Sequence, residues 1–526
     1  MKRSLILHPF LFAIYSVLGI YSQNASQVPF EWMFRSLLIA FLVAVFVYWF
    51  LNVRSKDFEY AAWGTTLFIL WLFSGHVYLF LLRQSSFWRT PFGGILALVL
   101  FSSALILFAG RWLWGKIKSR KTITVFLNVV SIALVLFSVW AIVSTLFRSN
   151  VQVRMIKDRV TGFEIPATEE NGNLPDIYFI VLDGYGREDI LRDLYGFDNS
   201  EFASFLRDSG FYVADRSSPN YPQTELSISS SMNLNYLDAY VEGFGDTSDR
   251  SPLRELMQHT VLRRFLEEQG YTFVALPSAA LFAQITDADV YYDTTSRGVN
   301  EFEGLVLSST IAGIFAESWG VELPVQGYHL HKRYILSTLE ALQTVPELSG
   351  PKFVFAHILS PHPPFVFDRD GNFILPDRPY STWDASLFPG SAQEYKNGYV
   401  DQMIFMNAQM TKIVTSILEK SEPPPPPPII IIMGDHGPGA YYDTLELNES
   451  CLAERFSILN AYYFPDRNYE RLYPSITPVN SFRVVLDQYF GADLDLLEDK
   501  SYFAGWLSPY QFTDVSDKID VACKIP

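Results

Sequence analysis

The residues of this chain best suited to chemistry are carboxylates and imidazoles at the ends of apolar runs. In the stretch Ile429–Gly439, IIIIMGDHGPG, Asp435 and His436 sit between Gly434 and Gly437, directly after a β-branched run. Entered from the six prolines Pro423–Pro428, that run suits a buried central strand better than a helix. Ligands of open α/β sheets bind beyond the carboxyl ends of strands, and carboxylate with imidazole is a metal-ligand pair. Read alone, the pair is equally well an ordinary strand exit with two solvated side chains. A second run of the same shape, DIYFIVLD over Asp176–Asp183, ends in an acid followed by Gly-Tyr-Gly. Asp183 at that strand end either holds a cation or caps the next helix. Thr224 lies in SSPNYPQTELSISSSMN, where Pro219 and Pro222 predict a helix starting near 224, with the hydroxyl at its positive end. Capping explains a threonine there just as simply. Lastly, HILSPHPPF carries His357 and His362, so three of the chain's eight histidines accompany apolar strands.

Strands and helices must bring these groups together. Apolar runs over Tyr271–Leu276 and Lys352–Ile358 and a short one over Phe211–Ala214 read as further strands. Helical spacing covers Asp189–Leu194, Glu201–Ser209, Leu253–Gln269, Tyr334–Thr344 and the long stretch Ala392–Glu419. Strands alternating with helices predict an α/β domain with a mostly parallel central sheet covered on both faces. The proline run reads as a rigid spacer before the last strand.

The N-terminal third differs in kind. Residues 1–150 hold 13 Lys+Arg against 3 Asp+Glu, whereas residues 151–526 hold 27 against 53. A basic apolar part followed by an acidic one predicts a membrane anchor carrying an exterior domain and gives no support for nucleic-acid binding. Five segments, Leu5–Tyr21, Met33–Leu51, Ala62–Leu82, Phe92–Trp114 and Ile123–Phe147, each approach the roughly 20 residues of a transmembrane helix. Lys2 and Arg3, Arg54 and Lys56, and the cluster Lys116–Lys121 all fall on one face of a five-span bundle, although Arg83 and Arg89 oppose the trend. The positive-inside rule then puts the N-terminus in the cytoplasm and everything after Phe147 outside. The domains expected are a transmembrane helical domain over 1–150, a linker and juxtamembrane segment over 151–175, and an extracytoplasmic catalytic domain over 176–526. Cys451 and Cys523 fit either a disulfide in an oxidising compartment or two buried thiols.

Taken in order, VLDGYG, NYPQTELS, HILSPHPPF and GDHG after a membrane anchor resemble the alkaline phosphatase superfamily. The resemblance is to its sulfatase-like branch of membrane-anchored lipoteichoic-acid synthases and phosphoethanolamine transferases, and it covers nearly the whole chain. It implies that Asp183, Asp435 and His436 hold one divalent metal together with the oxygen of Thr224, the nucleophile. It also implies that His362 contacts the phosphoryl group as a catalytic residue; His357 and Asn220 are expected as further substrate contacts, although His357 is equally well structural. Manganese or zinc suits a site with an imidazole better than magnesium or calcium. The activity implied is transfer of a phosphoglycerol- or phosphoethanolamine-type unit, through phosphothreonine, from a membrane phospholipid to a cell-envelope glycan or lipid. A hydrolase of extracellular phosphodiesters or sulfate esters is the alternative. Sulfatases need Cys or Ser in a Cys/Ser-x-Pro-x-Arg context, which Thr224 lacks. No histidine follows His436, so the second metal of related phosphatases is not expected, although His357 could join a weaker site.

Overall fold

The computed structural model describes residues 5–26, 28–75, 77–78, 96–166, 174–292, 300–318, 327–378, 380–420, 426–521 and 523. The chain divides into two compact units, residues 1–150 with 297–326, and residues 151–296 with 327–526.

The first unit is helical: α1 (His8–Asn24), α2 (Met33–Ser55), α3 (Phe58–Leu72), α4 (Leu96–Lys116) and α5 (Arg120–Thr161). Among the described residues, Phe30–Ser55, Leu96–Lys116 and Arg120–Thr161 are long and apolar enough to cross a bilayer. With 17 residues, α1 extends about 26 Å, a little short of the roughly 30 Å hydrocarbon layer. The expected third crossing, Ala62–Leu82, runs into residues outside those described; its described part is α3, whose first turn is capped by Asp57 accepting from the Glu59 and Tyr60 amides.

One stretch departs from the expected boundaries. The short helices Glu301–Ser308 and Ile311–Ser318 group with this first unit rather than with the rest of 176–526. Phe302 is fully buried in a cluster with Phe12, Tyr21 and Met33, its ring edge-on to Tyr21 at 5.5 Å. Glu303 forms an ion pair with Arg35 of α2 and completes a capping box with Asn300. The apolar surface of the first of these helices is buried against residues of α1 and α2, far earlier in the chain, which local periodicity cannot report.

The second unit is an α/β domain on a seven-stranded sheet of order β2-β7-β6-β1-β5-β3-β4. The strands are β1 (Ile177–Leu182), β2 (Tyr212–Val213), β3 (Thr272–Ala275), β4 (Val290–Tyr291), β5 (Lys352–Ile358), β6 (Ile429–Gly434) and β7 (Asn460–Tyr463). From β6 to β4 the pairings are parallel, and β7 and β2 close one edge antiparallel. Every residue of β1, β5 and β6 is buried, which is why these strands read as continuous apolar runs rather than alternating ones. Along β1 the side chains Ile177, Phe179 and Val181 enter one core while Tyr178, Ile180 and Leu182 enter the other. A hairpin, β8 (Tyr502–Gly505) and β9 (Ser508–Asp514), stands apart from the main sheet.

Two further expectations change. The segment 151–175 is not wholly a linker, since α5 continues to Thr161. Ile156 and Val160, one helical turn apart, are buried in the core of the α/β domain, and Arg159 donates to the carbonyls of Tyr240 and Glu242. The charged residues between them conceal this stripe in the sequence. The helix expected over Leu253–Gln269 is two, Ser251–Gln258 and Val261–Glu268, the second capped by Thr260 accepting from Arg263. Cys451 and Cys523 form a disulfide, the arrangement of an oxidising compartment.

Candidate active site

Strand register assembles the site. Leu182, the last residue of β1, pairs with Ile358 of β5 on one side and Gly434 of β6 on the other. The carboxyl ends of three adjacent parallel strands are therefore level, and Asp183 and Asp435 emerge side by side, with His357 two register positions back, level with Val181. The chain can turn there only because of small residues. A Cβ on Gly434 would lie 2.3 Å from the carbonyl oxygen of Tyr185, and one on Gly437 would lie 2.1 Å from that of Glu454.

Opposite these strand ends lies α6 (Thr224–Met232). Its N-cap is Gln223, in an extended conformation, so Thr224 is the first helical residue and its hydroxyl makes no capping bond. That resolves the alternative posed by the sequence: the Thr224 Oγ1 points at the strand ends, 3.4 Å from Asp183 Oδ2 and 3.3 Å from His436 Nε2. His436 Nε2 is in turn 3.5 Å from Asp183 Oδ1 and 3.4 Å from Asp435 Oδ2. Ligand atoms of Asp183, Asp435 and His436 lie within 4.8 Å of one another, all buried.

The residues fit a divalent cation. Among the described residues, Asp183 Oδ1 and Asp435 Oδ2 are buried oxygens without a hydrogen-bond partner, a costly state for carboxylates unless positive charge compensates them. The remaining oxygens are positioned by the protein: Asp435 Oδ1 accepts from the Gly184 amide at 2.9 Å, and Asp183 Oδ2 lies 3.2 Å from His357 Nε2. His436 Nδ1, 2.9 Å from the Gly437 carbonyl, carries the ring proton, which leaves the Nε2 lone pair facing the carboxylates. Burial and the neighbouring Arg455 guanidinium lower the His436 pKa and keep the ring neutral, as a ligand must be. Burial alone would raise the Asp183 pKa, but the charge on His362 and the hydrogen bond with His357 hold the carboxyl well below the usual range.

His362 lies in the loop after β5, where its amide donates to the Asp183 carbonyl at 3.1 Å. Its Nδ1 is 2.5 Å from the Pro363 carbonyl, and its Nε2 is 3.7 Å from Asp384 Oδ2. Burial opposes a charge on this ring; the carboxylates of Asp183 and Asp384 outweigh it and raise the His362 pKa.

Two expected substrate contacts are engaged elsewhere. His357 stands behind Asp183, bridging it to the Ser278 hydroxyl at 2.8 Å, so it orients the Asp183 carboxylate. The Asn220 amide is taken up by the backbone: Nδ2 donates to the Lys500 carbonyl and Oδ1 accepts from the Val479 amide, each at 2.8 Å. These bonds pin the loop that leads into Thr224.

Three groups at the site carry no signal in the sequence. Asp384, Glu454 and Arg455 lie outside any strand-end motif. Asp384 accepts from the Tyr395 hydroxyl at 2.7 Å and from Arg455 Nη1 at 2.5 Å. Glu454 accepts from the Tyr195 hydroxyl at 2.6 Å and the Tyr441 amide at 2.8 Å, and burial pushes its pKa up to about 7. A carboxyl raised in this way binds its proton more tightly folded than unfolded, so its stabilisation is complete below about pH 4.5 and lost as the pH rises through about 7. The loss is at most about 3 kcal/mol. In melting curves of the full chain in detergent, Glu454→Gln should flatten the fall in Tm between pH 5 and 8; an unchanged slope would assign it to other groups.

The sequence matches no known family profile and no curated protein. Solved structures do resemble it at low identity. The C-terminal periplasmic domain of EcEptC from Escherichia coli is 12% identical, with a TM-score of 0.43, covering 68% of this chain and 98% of that one. The soluble domain of lipooligosaccharide phosphoethanolamine transferase A from Neisseria meningitidis is 9% identical, with a TM-score of 0.36, covering 61% and 89%. A putative sulfatase from Bacteroides thetaiotaomicron is 13% identical, with a TM-score of 0.37, covering 63% and 74%.

Proposed function

We propose that this chain is a metal-dependent transferase that moves a phosphoryl-linked headgroup of the phosphoglycerol or phosphoethanolamine type at the outer face of a membrane, with Thr224 as nucleophile. The donor is a membrane phospholipid and the acceptor a cell-envelope glycan or lipid. One observation carries the reading: the uncapped Thr224 hydroxyl lies between Asp183 and His436, next to two buried carboxylate oxygens that lack partners.

Asp183, Asp435 and His436 would hold the cation together with the Thr224 oxygen. When bound, it supplies Lewis acidity that lowers the pKa of the hydroxyl and offsets charge on the phosphoryl oxygens. The rest belongs to the chain. The N-terminus of α6 favours the threonine alkoxide, and the hydroxyl proton passes to water. Thr224 Oγ1 forms a bond to phosphorus as the bond to the glycerol oxygen breaks. His362, whose charged form is favoured, gives its Nε2 proton to that leaving oxygen and releases diacylglycerol. In the second half the acceptor hydroxyl attacks the phosphothreonine and gives its proton to His362. Thr224 Oγ1 then leaves and takes a proton from water.

Membrane placement is supported by the long apolar helices, the basic residues flanking them and the Cys451–Cys523 disulfide. These favour a multi-pass cell-membrane protein with a cytoplasmic N-terminus and an exterior catalytic domain. The test is to incubate the purified full chain, loaded with manganese or zinc, with headgroup-labelled phospholipid. Diacylglycerol and a labelled adduct on Thr224 are expected. If neither forms with metal bound, the proposal fails; headgroup release at full rate without acceptor would identify a hydrolase.

A further inference from the structure

Arg455 and Asp384 lie beside His436 and His362, and Arg455 has no part in the steps above. Arg455 is 4% exposed, and its guanidinium is held on several sides. Nε donates to the Pro222 carbonyl at 2.8 Å, Nη1 donates to Asp384 Oδ2 at 2.5 Å and to the Gly437 carbonyl at 3.2 Å, and the Tyr442 ring lies 5.1 Å away. Nη2 differs: among the described residues its acceptor is His436 Nε2, at 3.1 Å. That lone pair is the one converging with the carboxylates of Asp183 and Asp435. It cannot serve an N–H group and a cation at the same time. Once a cation takes it, the clamped guanidinium keeps its charge and its place but loses an acceptor. A buried charged donor without an acceptor is unfavourable, so the loaded pocket lacks one anionic oxygen beside His436, whose Nε2 is 3.3 Å from the attacking Thr224 Oγ1.

We infer that Arg455 is a catalytic residue of the transfer, its Nη2 donating to a non-bridging phosphoryl oxygen as Thr224 attacks, and that Asp384 is the positioning residue that holds the guanidinium there. The inference rests on the phosphoryl-transfer reading. No proton or bond is added to the scheme, because Arg455 stays protonated throughout. Asp384 Oδ2 also lies 3.7 Å from His362 Nε2, so one carboxylate anchors both cationic donors. The substrate class that fits is a phosphodiester anion with two non-bridging oxygens, one for the cation and one for Arg455.

The test uses the full chain loaded with manganese. Arg455→Ala should bind manganese alone within about threefold of the unaltered chain, while kcat on labelled phospholipid falls about 10²–10³-fold and KM changes far less. Millimolar guanidinium should restore at least tenfold of the lost rate to Arg455→Ala and none to Arg455→Lys. If manganese affinity collapses in parallel with kcat, or guanidinium restores nothing, Arg455 only supports His436 and the inference is overturned. Should the unaltered chain transfer no headgroup, inorganic phosphate remains the probe: Arg455→Ala should bind it at least tenfold more weakly, and equal binding overturns the inference. If Arg455→Ala does not fold, the double variant Arg455→Ala/Asp384→Ala leaves no unpaired carboxylate and takes its place in both arms.

Discussion

Thr224→Ala should abolish the covalent adduct and reduce headgroup transfer by about 10³-fold or more, because it deletes the one protein atom in the scheme that bonds to phosphorus. The fold should survive. Thr224 caps nothing, its helix is entered through Gln223, and the change removes only a hydroxyl and a methyl group at the first helical position. Intact-protein mass spectrometry after incubation with phospholipid reads the adduct directly, and a melting curve within a few degrees of the unaltered chain confirms the fold. Thr224→Ser keeps the oxygen and should retain both adduct and measurable turnover. An adduct that persists in the alanine variant would move the nucleophile to another residue.

Asp435→Asn should uncouple folding from metal binding. In the unaltered chain, Asp183 and Asp435 are buried beside each other with one oxygen apiece unpartnered, so a cation that relieves this pair stabilises the folded state by mass action. At a thousand times the dissociation constant this is worth about 4 kcal/mol, a shift of several degrees in Tm. Asparagine keeps the Gly184 contact through its carbonyl but presents no second negative oxygen. The variant should melt at or above the temperature of the chelator-treated unaltered chain and gain almost nothing from added manganese or zinc. Transfer should fall in step with the lost affinity. If the melting temperature of the unaltered chain does not respond to any divalent cation after chelation, the metal site is refuted whatever the activity of the variant.

These two residues were legible in different degrees. Asp435, like Asp183, is announced by its neighbours: a run of apolar residues with no polar alternation can be buried on both faces only in a central strand, and an acid followed by glycine marks its end. Thr224 was legible as a helix start but not as an uncapped hydroxyl turned to the strand ends, because whether residue 223 or 224 takes the cap is decided by a backbone angle at Gln223. His357 and Asn220 were found as members of motifs and proved to position other groups, since the partners that take up their side chains, Ser278, Lys500 and Val479, are remote in sequence.

The sequence by itself determined the buried central strands, the helix start at Thr224, the apolar N-terminal helices and the chemistry available at each strand end, all of which depend on residues within one or two turns. Tertiary structure alone decided that Leu182 lies level with both Ile358 and Gly434, which sets Asp183 beside Asp435. It alone placed Arg455 on Asp384, 71 residues away, and carried residues 300–318 into the helical unit. The physical reason is the range of the forces involved: propensity and capping act within a few residues, whereas strand register and burial are settled by whichever distant surfaces complete the core.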